Sequence, residues 1–126
     1  MSDSDSVRAL LVELVEVNDA FARLKSAADA APLGDESRRW IDRFLLVRKR
    51  VEAILLARQV HCLNSLGMPY NPELHRVVEV VPSAQKPGTI LEVLADAYAW
   101  TDGGRMTALR MGDVKIAGDQ ARQAGE

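Results

Sequence analysis

The side chains able to do acid–base or nucleophilic chemistry are few in this 126-residue chain: one cysteine, Cys62, and two histidines, His61 and His75. His61 and Cys62 are neighbours in a stretch patterned as helix. Adjacent helical positions point about 100° apart, a poor arrangement for a base and its nucleophile. Cys62 reads as a small buried hydrophobe and His61 as a bundle or rim residue. His75 follows Asn71-Pro72-Glu73-Leu74 and reads as a structural histidine bonded to a backbone carbonyl. Glu52, Glu73, Glu79 and Glu92 show no spacing that pairs carboxylates for proton transfer. An enzyme using His75 with Glu73 or Cys62 would need those residues to converge in one pocket, against the order of elements set out below. A lone cysteine makes neither an intramolecular disulfide nor a thiolate zinc site, and no HExxH is present. Gly103-Gly104 belongs to a turn and lacks the surroundings of a phosphate-binding loop. The expectation is a protein without catalytic residues, metal, cofactor or small-molecule substrate.

Charge narrows the partners. Sixteen Lys+Arg against 18 Asp+Glu give a formal net charge of -2, which argues against nucleic acid. Arg38, Arg39, Arg43, Arg48, Lys49, Arg50 and Arg58 concentrate seven cations in one segment. They fall on several faces of a helix, and Glu13, Glu16 and Asp19 are expected to answer some of them. The start MSDSDSVRALLVELVE has no basic lead, and no apolar run approaches the roughly 18 residues of a membrane span. The expected setting is cytoplasmic, without membrane contact.

The elements that must hold these residues divide at proline. All five prolines lie at 32, 69, 72, 82 and 87. Val7, Leu10, Leu11, Leu14, Val17, Phe21 and Leu24 recur at helical steps and predict a first helix from Val7 to about Ala31. After the Pro32-Leu33-Gly34 break, a second helix is expected from Glu36 to Gly67, a natural terminator. Its stripe is Ile41, Phe44, Val47 or Arg48, Val51, Leu55 and Arg58. A helix of that length spans roughly 45 Å, and its apolar surface is too broad for one partner helix, so a second copy is expected to cover it. Beyond Gly67, RVVEVV, TILEVL, YAW and VKI read as short strands between turn formers. The domain reading is a flexible 1–6, a helical dimerisation region over 7–67, a small β wing over 68–117, and a flexible 118–126. Only 5 % of residues are aromatic, which fits Leu/Val/Ala stripes shared between chains better than one bulky core.

The stretch MPYNPELHRVVEVVPSAQKPGTILEVLADAYAW resembles the C-terminal head of the GrpE family, the nucleotide exchange factors of Hsp70-type chaperones. Asn71-Pro72-Glu73-Leu74-His75 stands where the family has its Pro-x-x-His segment. Pro87-Gly88-Thr89-Ile90-Leu91-Glu92-Val93-Leu94, with Tyr98, stands where it has a Pro-Gly turn and strand. Leu109-Arg110-Met111-Gly112-Asp113-Val114-Lys115-Ile116 resembles the closing segment, and LLVELVEVNDAFARL resembles the first bundle helix. The likeness covers residues 7–117. It is to a short form without the family's long N-terminal helix, with which thermal sensing is associated in the family. Ala97 replaces a glycine, the 101–108 segment is about four residues longer than the usual turn, and Met111-Gly112 replaces Pro/Ala-Ala.

The resemblance implies an α+β fold, with two helices contributing to a dimeric four-helix bundle followed by a small all-β wing. It implies a homodimer whose wing binds the nucleotide-binding domain of an Hsp70-type or Hsp70-like chaperone and promotes ADP release. By position, partner contacts fall on Leu94, Arg105, Arg110 and Ile116. The dimer interface is assigned to Leu10, Leu14, Phe21, Ile41, Phe44, Val51 and Leu55. The alternative is a non-catalytic dimeric scaffold whose wing has been redirected to another protein, since function belongs to the site and not to the fold.

Overall fold

The computed structural model describes residues 3–119. The chain forms two compact units that meet at Gln59/Val60: a helical pair, then a wing of six strands.

The helical unit consists of α1 (Asp3–Ala30) and α2 (Asp35–Ala57). Ser4 to Ser6, expected to be flexible, are already helical, which puts Asp3 and Asp5 in the first turn at the favourable end of the helix dipole. The single broad stripe expected for α1 resolves into two faces. Leu11, Val15 and Asn18 are buried at i, i+4 and i+7, whereas Leu10 and Val17, roughly a third of a turn around the helix, are exposed, as is Val7 one turn before Leu11. On α2, Val51 and Leu55 are buried, while Trp40, Phe44 and Val47 are exposed. α1 thus leaves a second apolar face uncovered, whereas on α2 the exposed Trp40, Phe44 and Val47 continue the stripe of Val51 and Leu55, which is covered only toward the end of the helix. The connection is pinned by Arg38, which reaches Asp29 Oδ1 at 2.8 Å and donates to the Ala28 carbonyl at 3.4 Å. Lys25 closes on the same Asp29 at 2.7 Å. These two cations hold the Asp29 carboxyl below its ordinary pKa.

The second helix ends ten residues before Gly67, at Ala57. Gln59, not a glycine, takes the left-handed conformation (φ 64°) that stops it. The cause is tertiary. Val60 is buried, and Val60–Cys62, strand β1, pairs with Tyr98–Trp100, so sheet pairing overrides a sequence pattern compatible with more helix. This also moves His61 and Cys62 from a helix to an edge strand, where both are exposed.

The wing holds two three-stranded sheets. One has the order β1-β4-β5, with β4 at Tyr98–Asp102 and β5 at Arg105–Arg110, all antiparallel. Gly103 and Gly104, both at positive φ, form the two-residue turn between β4 and β5. The segment that looked like an extended turn is therefore a complete hairpin. The other sheet has the order β2-β6-β3, from β2 (His75–Ser83), β3 (Ile90–Ala95) and β6 (Gly112–Asp119). Its central strand β6 runs parallel to β2 and antiparallel to β3. Gly118 and Asp119, expected in a flexible tail, belong to β6; the rest of that expectation, 120–126, and residues 1–2 of the flexible start lie outside the described residues. Val114, Ile90, Ala97, Tyr98, Ala99, Trp100 and Leu109 are buried in the wing.

Candidate partner-binding face

His75 is buried at the first position of β2. The Asn71 backbone N–H donates to Nδ1 at 3.1 Å, and Nε2 lies 2.8 Å from the buried Ser65 hydroxyl. An N–H aimed at Nδ1 requires a lone pair there, so the proton of the neutral ring sits on Nε2 and is donated to Ser65. That tautomer is the reverse of what a serine nucleophile needs from its base. Burial pushes the pKa of His75 below its ordinary value. Its partners are a backbone N–H and a hydroxyl, where a backbone carbonyl was expected. Asn71 closes the knot: its carbonyl accepts from the backbone N–H groups of Leu74 and His75, and its side chain accepts from that of Glu73. Among the described residues no group of three His, Cys, Asp or Glu could hold a metal ion.

The outward chemistry of the wing comes from strand register. Against β6, three extra residues interrupt the pairing of its neighbours: Val78 in β2, and Leu91 and Leu94 in β3. A bulge leaves one residue outside the ladder and re-aims its side chain. Val78 and Leu94 are exposed, at 46 % and 53 %, while Leu91 is half-buried. The bulges also rephase the flanking strands so that polar side chains meet around positions 113 and 115 of β6. Arg76, Asp113 and Ala95 form one row across the three strands, and Glu79, Lys115 and Glu92 form the next. In the first row Arg76 grips Asp113 through Nε and Nη2 at 2.8 and 2.9 Å. In the second, Lys115 lies 3.1 Å from Glu79 and 3.2 Å from Glu92. The two carboxylates that sequence spacing left unpaired thus meet around a lysine, whose pKa they raise, and serve as its counter-ions.

A groove of about 360 Å³ opens beside the first row, lined by Arg76, Ala95, Arg110, Met111 and Asp113. Arg110 donates to the Asp96 carbonyl at 2.6 Å and lies 5.2 Å over the Tyr98 ring. Gly112 makes the corner possible: a Cβ there would stand 2.8 Å from the Ala97 nitrogen and 2.9 Å from the Ala95 carbonyl oxygen.

The residues assigned from the resemblance are not all gathered here. Arg110 lines the groove and Leu94 adjoins its Ala95 wall. Ile116, half-buried, shares a row with Val80 and Ile90 on the other face of the sheet. Arg105, exposed beside the Gly103-Gly104 turn, lies five residues along β5 from Arg110, about 17 Å at strand rise. Arg76, Asp113 and Lys115 were not anticipated. No local pattern announces them, because their meeting depends on which strands pair and where the bulges fall.

In the helical unit, Asp42 and Glu52, with the Asp29 already described, answer two of the basic residues of α2. Arg38 contacts Asp29 and Asp42, and Arg48 contacts Glu52, at 2.9 Å. Arg43 lies 5.1 Å over the exposed Trp40 ring. Of the residues assigned to a dimer interface, Leu10 and Phe44 are exposed, Leu14, Phe21 and Ile41 are half-buried, and Val51 and Leu55 are already buried in the single chain.

The chain is a helical pair followed by a bulged β wing that carries exposed apolar side chains beside fixed charges. It belongs to the GrpE family, whose model matches residues 2–118. It is similar to "Protein GrpE" of Burkholderia thailandensis, 32 % identical over 57 residues, covering 45 % of this chain and 32 % of that protein. Proteins of the same name from Burkholderia mallei and Burkholderia pseudomallei are 32 % identical over 57 residues, covering 45 % of this chain and 31 % of theirs. The match therefore spans about a third of the length of these relatives. Among the described residues, no helix is long and apolar enough to cross a membrane.

Proposed function

We propose that the chain is a nucleotide exchange factor, a co-chaperone that binds the nucleotide-binding domain of an Hsp70-type chaperone in the cytoplasm and promotes release of ADP. Family membership across 2–118 carries this reading. Exchange of this kind makes or breaks no covalent bond. The factor binds the open, nucleotide-poor state of its partner more tightly than the closed one, and linkage lowers the partner's affinity for ADP by the same factor. Moving a two-state equilibrium from 1:99 to 99:1 takes about 10⁴-fold preferential binding, about 5.5 kcal/mol. A few anchors with an apolar centre can supply that. Leu94, Arg105, Arg110 and Ile116 are the contacts assigned on the wing.

The uncovered faces of α1 and α2, with Leu10, Leu14, Phe21, Ile41 and Phe44, are assigned to a second copy in a four-helix bundle, and Val51 and Leu55 to its inner layer. One observation favours the alternative of a redirected scaffold: the Arg110 guanidinium is engaged by its own chain, on the Asp96 carbonyl and the Tyr98 ring. A stopped-flow measurement of labelled ADP leaving the chaperone domain of the same organism separates the two. Faster release on addition of the chain supports exchange. Binding without any change in release rate establishes the scaffold.

A further inference from the structure

The two charged rows on the outer face of the β2-β6-β3 sheet are closed to different degrees. In the Glu79–Lys115–Glu92 row, the central cation has a carboxylate on each side. In the Arg76–Asp113–Ala95 row, the central anion has a guanidinium on one side and only a methyl group on the other. The small side chain of Ala95 leaves room, and the groove beside it is walled by Arg110 and Met111. Its lining therefore carries two guanidinium groups against one carboxylate. The Arg76 side chain is 69 % exposed, and its bond to Asp113 uses Nε and Nη2, leaving the Nη1 hydrogens outside that pair. Asp113 holds the planar guanidinium in place, so little side-chain freedom remains to be lost when a second carboxylate arrives. An exposed ion pair of this kind adds little to stability; a fixed guanidinium at the rim of a groove is well suited to recognition.

We propose that this groove receives a carboxylate side chain of the partner protein, an aspartate or glutamate flanked by an apolar residue, and that Arg76 is the specificity-determining residue that reads it. The apolar neighbour packs on Met111 and on Leu94, which the bulge beside Ala95 turns outward. Charge complementarity selects this occupant: the first row with Arg110 has an excess of one positive charge, which attracts a carboxylate and repels a cation. The inference rests on the reading of the wing as the partner-binding element and names the chemistry of what it binds.

The test uses the full chain and the purified Hsp70-type nucleotide-binding domain of the same organism, with fluorescent ADP release and direct binding both recorded. Arg76→Glu is expected to weaken apparent affinity about tenfold or more, and Arg76→Gln several-fold. The difference from the parent chain narrows as salt rises from about 50 to about 300 mM. Glu79→Gln, one row away, stays within about twofold. Circular dichroism melts of the variants show that the wing remains folded. Parent-like binding by Arg76→Glu overturns the inference while leaving exchange intact, as does an equal loss in Glu79→Gln, which would mark a diffuse field in place of a local site. If the parent chain neither binds nor accelerates release, the exchange reading fails, and the partner assigned to the groove fails with it.

Discussion

The Ser65 hydroxyl and Nε2 of His75 are 2.8 Å apart and both residues are buried. This bond, with the Asn71 N–H on Nδ1, ties the segment after β1 to the start of β2. The same segment is stitched to β3 and the turn before it by Gly67–Ile90, Ile90–Met68 and Tyr70–Gly88 backbone bonds. Protonating His75 would place a second N–H against that of Asn71.

Stability should therefore depend on pH in a defined direction. Burial lowers the folded-state pKa of His75, so the neutral ring's contribution is complete above the unfolded value of about 6.5. It is lost as pH falls from there through the lowered folded value. Urea unfolding between about pH 7.5 and about pH 5 is expected to show falling stability, and His75→Gln to flatten that part of the profile. An unchanged slope in the variant would assign the dependence to other groups. Ser65→Ala leaves the buried Nε2 hydrogen without its acceptor and should cost about 1–3 kcal/mol at neutral pH.

Gly112→Ala should destabilise the wing by about 1–3 kcal/mol. The added methyl meets backbone atoms at 2.8 and 2.9 Å, and backbone cannot swing aside as a side chain end can. Urea melts followed by circular dichroism give the value. A neutral result would mean that the corner between β3 and β4 relaxes freely.

Gln59→Gly should stabilise the chain by about 0.5–1 kcal/mol, because relief of the left-handed strain exceeds the added freedom of the unfolded chain. Gln59→Val should do the opposite, a branched side chain being poorly tolerated at φ 64°. Thermal melts of the pair test both signs at once.

Leu10→Glu and Phe44→Glu should leave the helical hairpin folded, since both positions are exposed in the single chain, and should sediment as monomers, against the dimer proposed for the parent chain. A parent chain that is monomeric at micromolar concentration would remove the dimer assignment.

Much of this architecture can be read from residue order, for physical reasons that also mark the limit. Val7-to-Leu24 periodicity and the clustering of proline beyond residue 68 are local signals, and they separate a helical half from a strand-rich half. The end of α2 is not local. Gln59 carries no terminator signature, and the decision lies in Val60 pairing with Trp100, 40 residues away. Faces of the wing strands are equally hidden, because an unbroken run such as Val77-Val78 looks the same with or without a bulge. Leu94 and Arg110 entered through family resemblance, whereas the Arg76–Asp113 and Glu79–Lys115–Glu92 rows required the register itself.

The bulges at Val78 and Leu94 have a bearing on how this protein can change. A residue outside the hydrogen-bonded ladder, with its side chain in solvent, contributes little to the core formed by Val114 and Ile90. Substitutions there alter the outer relief of the wing while leaving the fold's foundations alone. Such positions let a lineage retune whom it recognises without first acquiring spare stability, and they are natural places to begin when engineering a wing toward a new target.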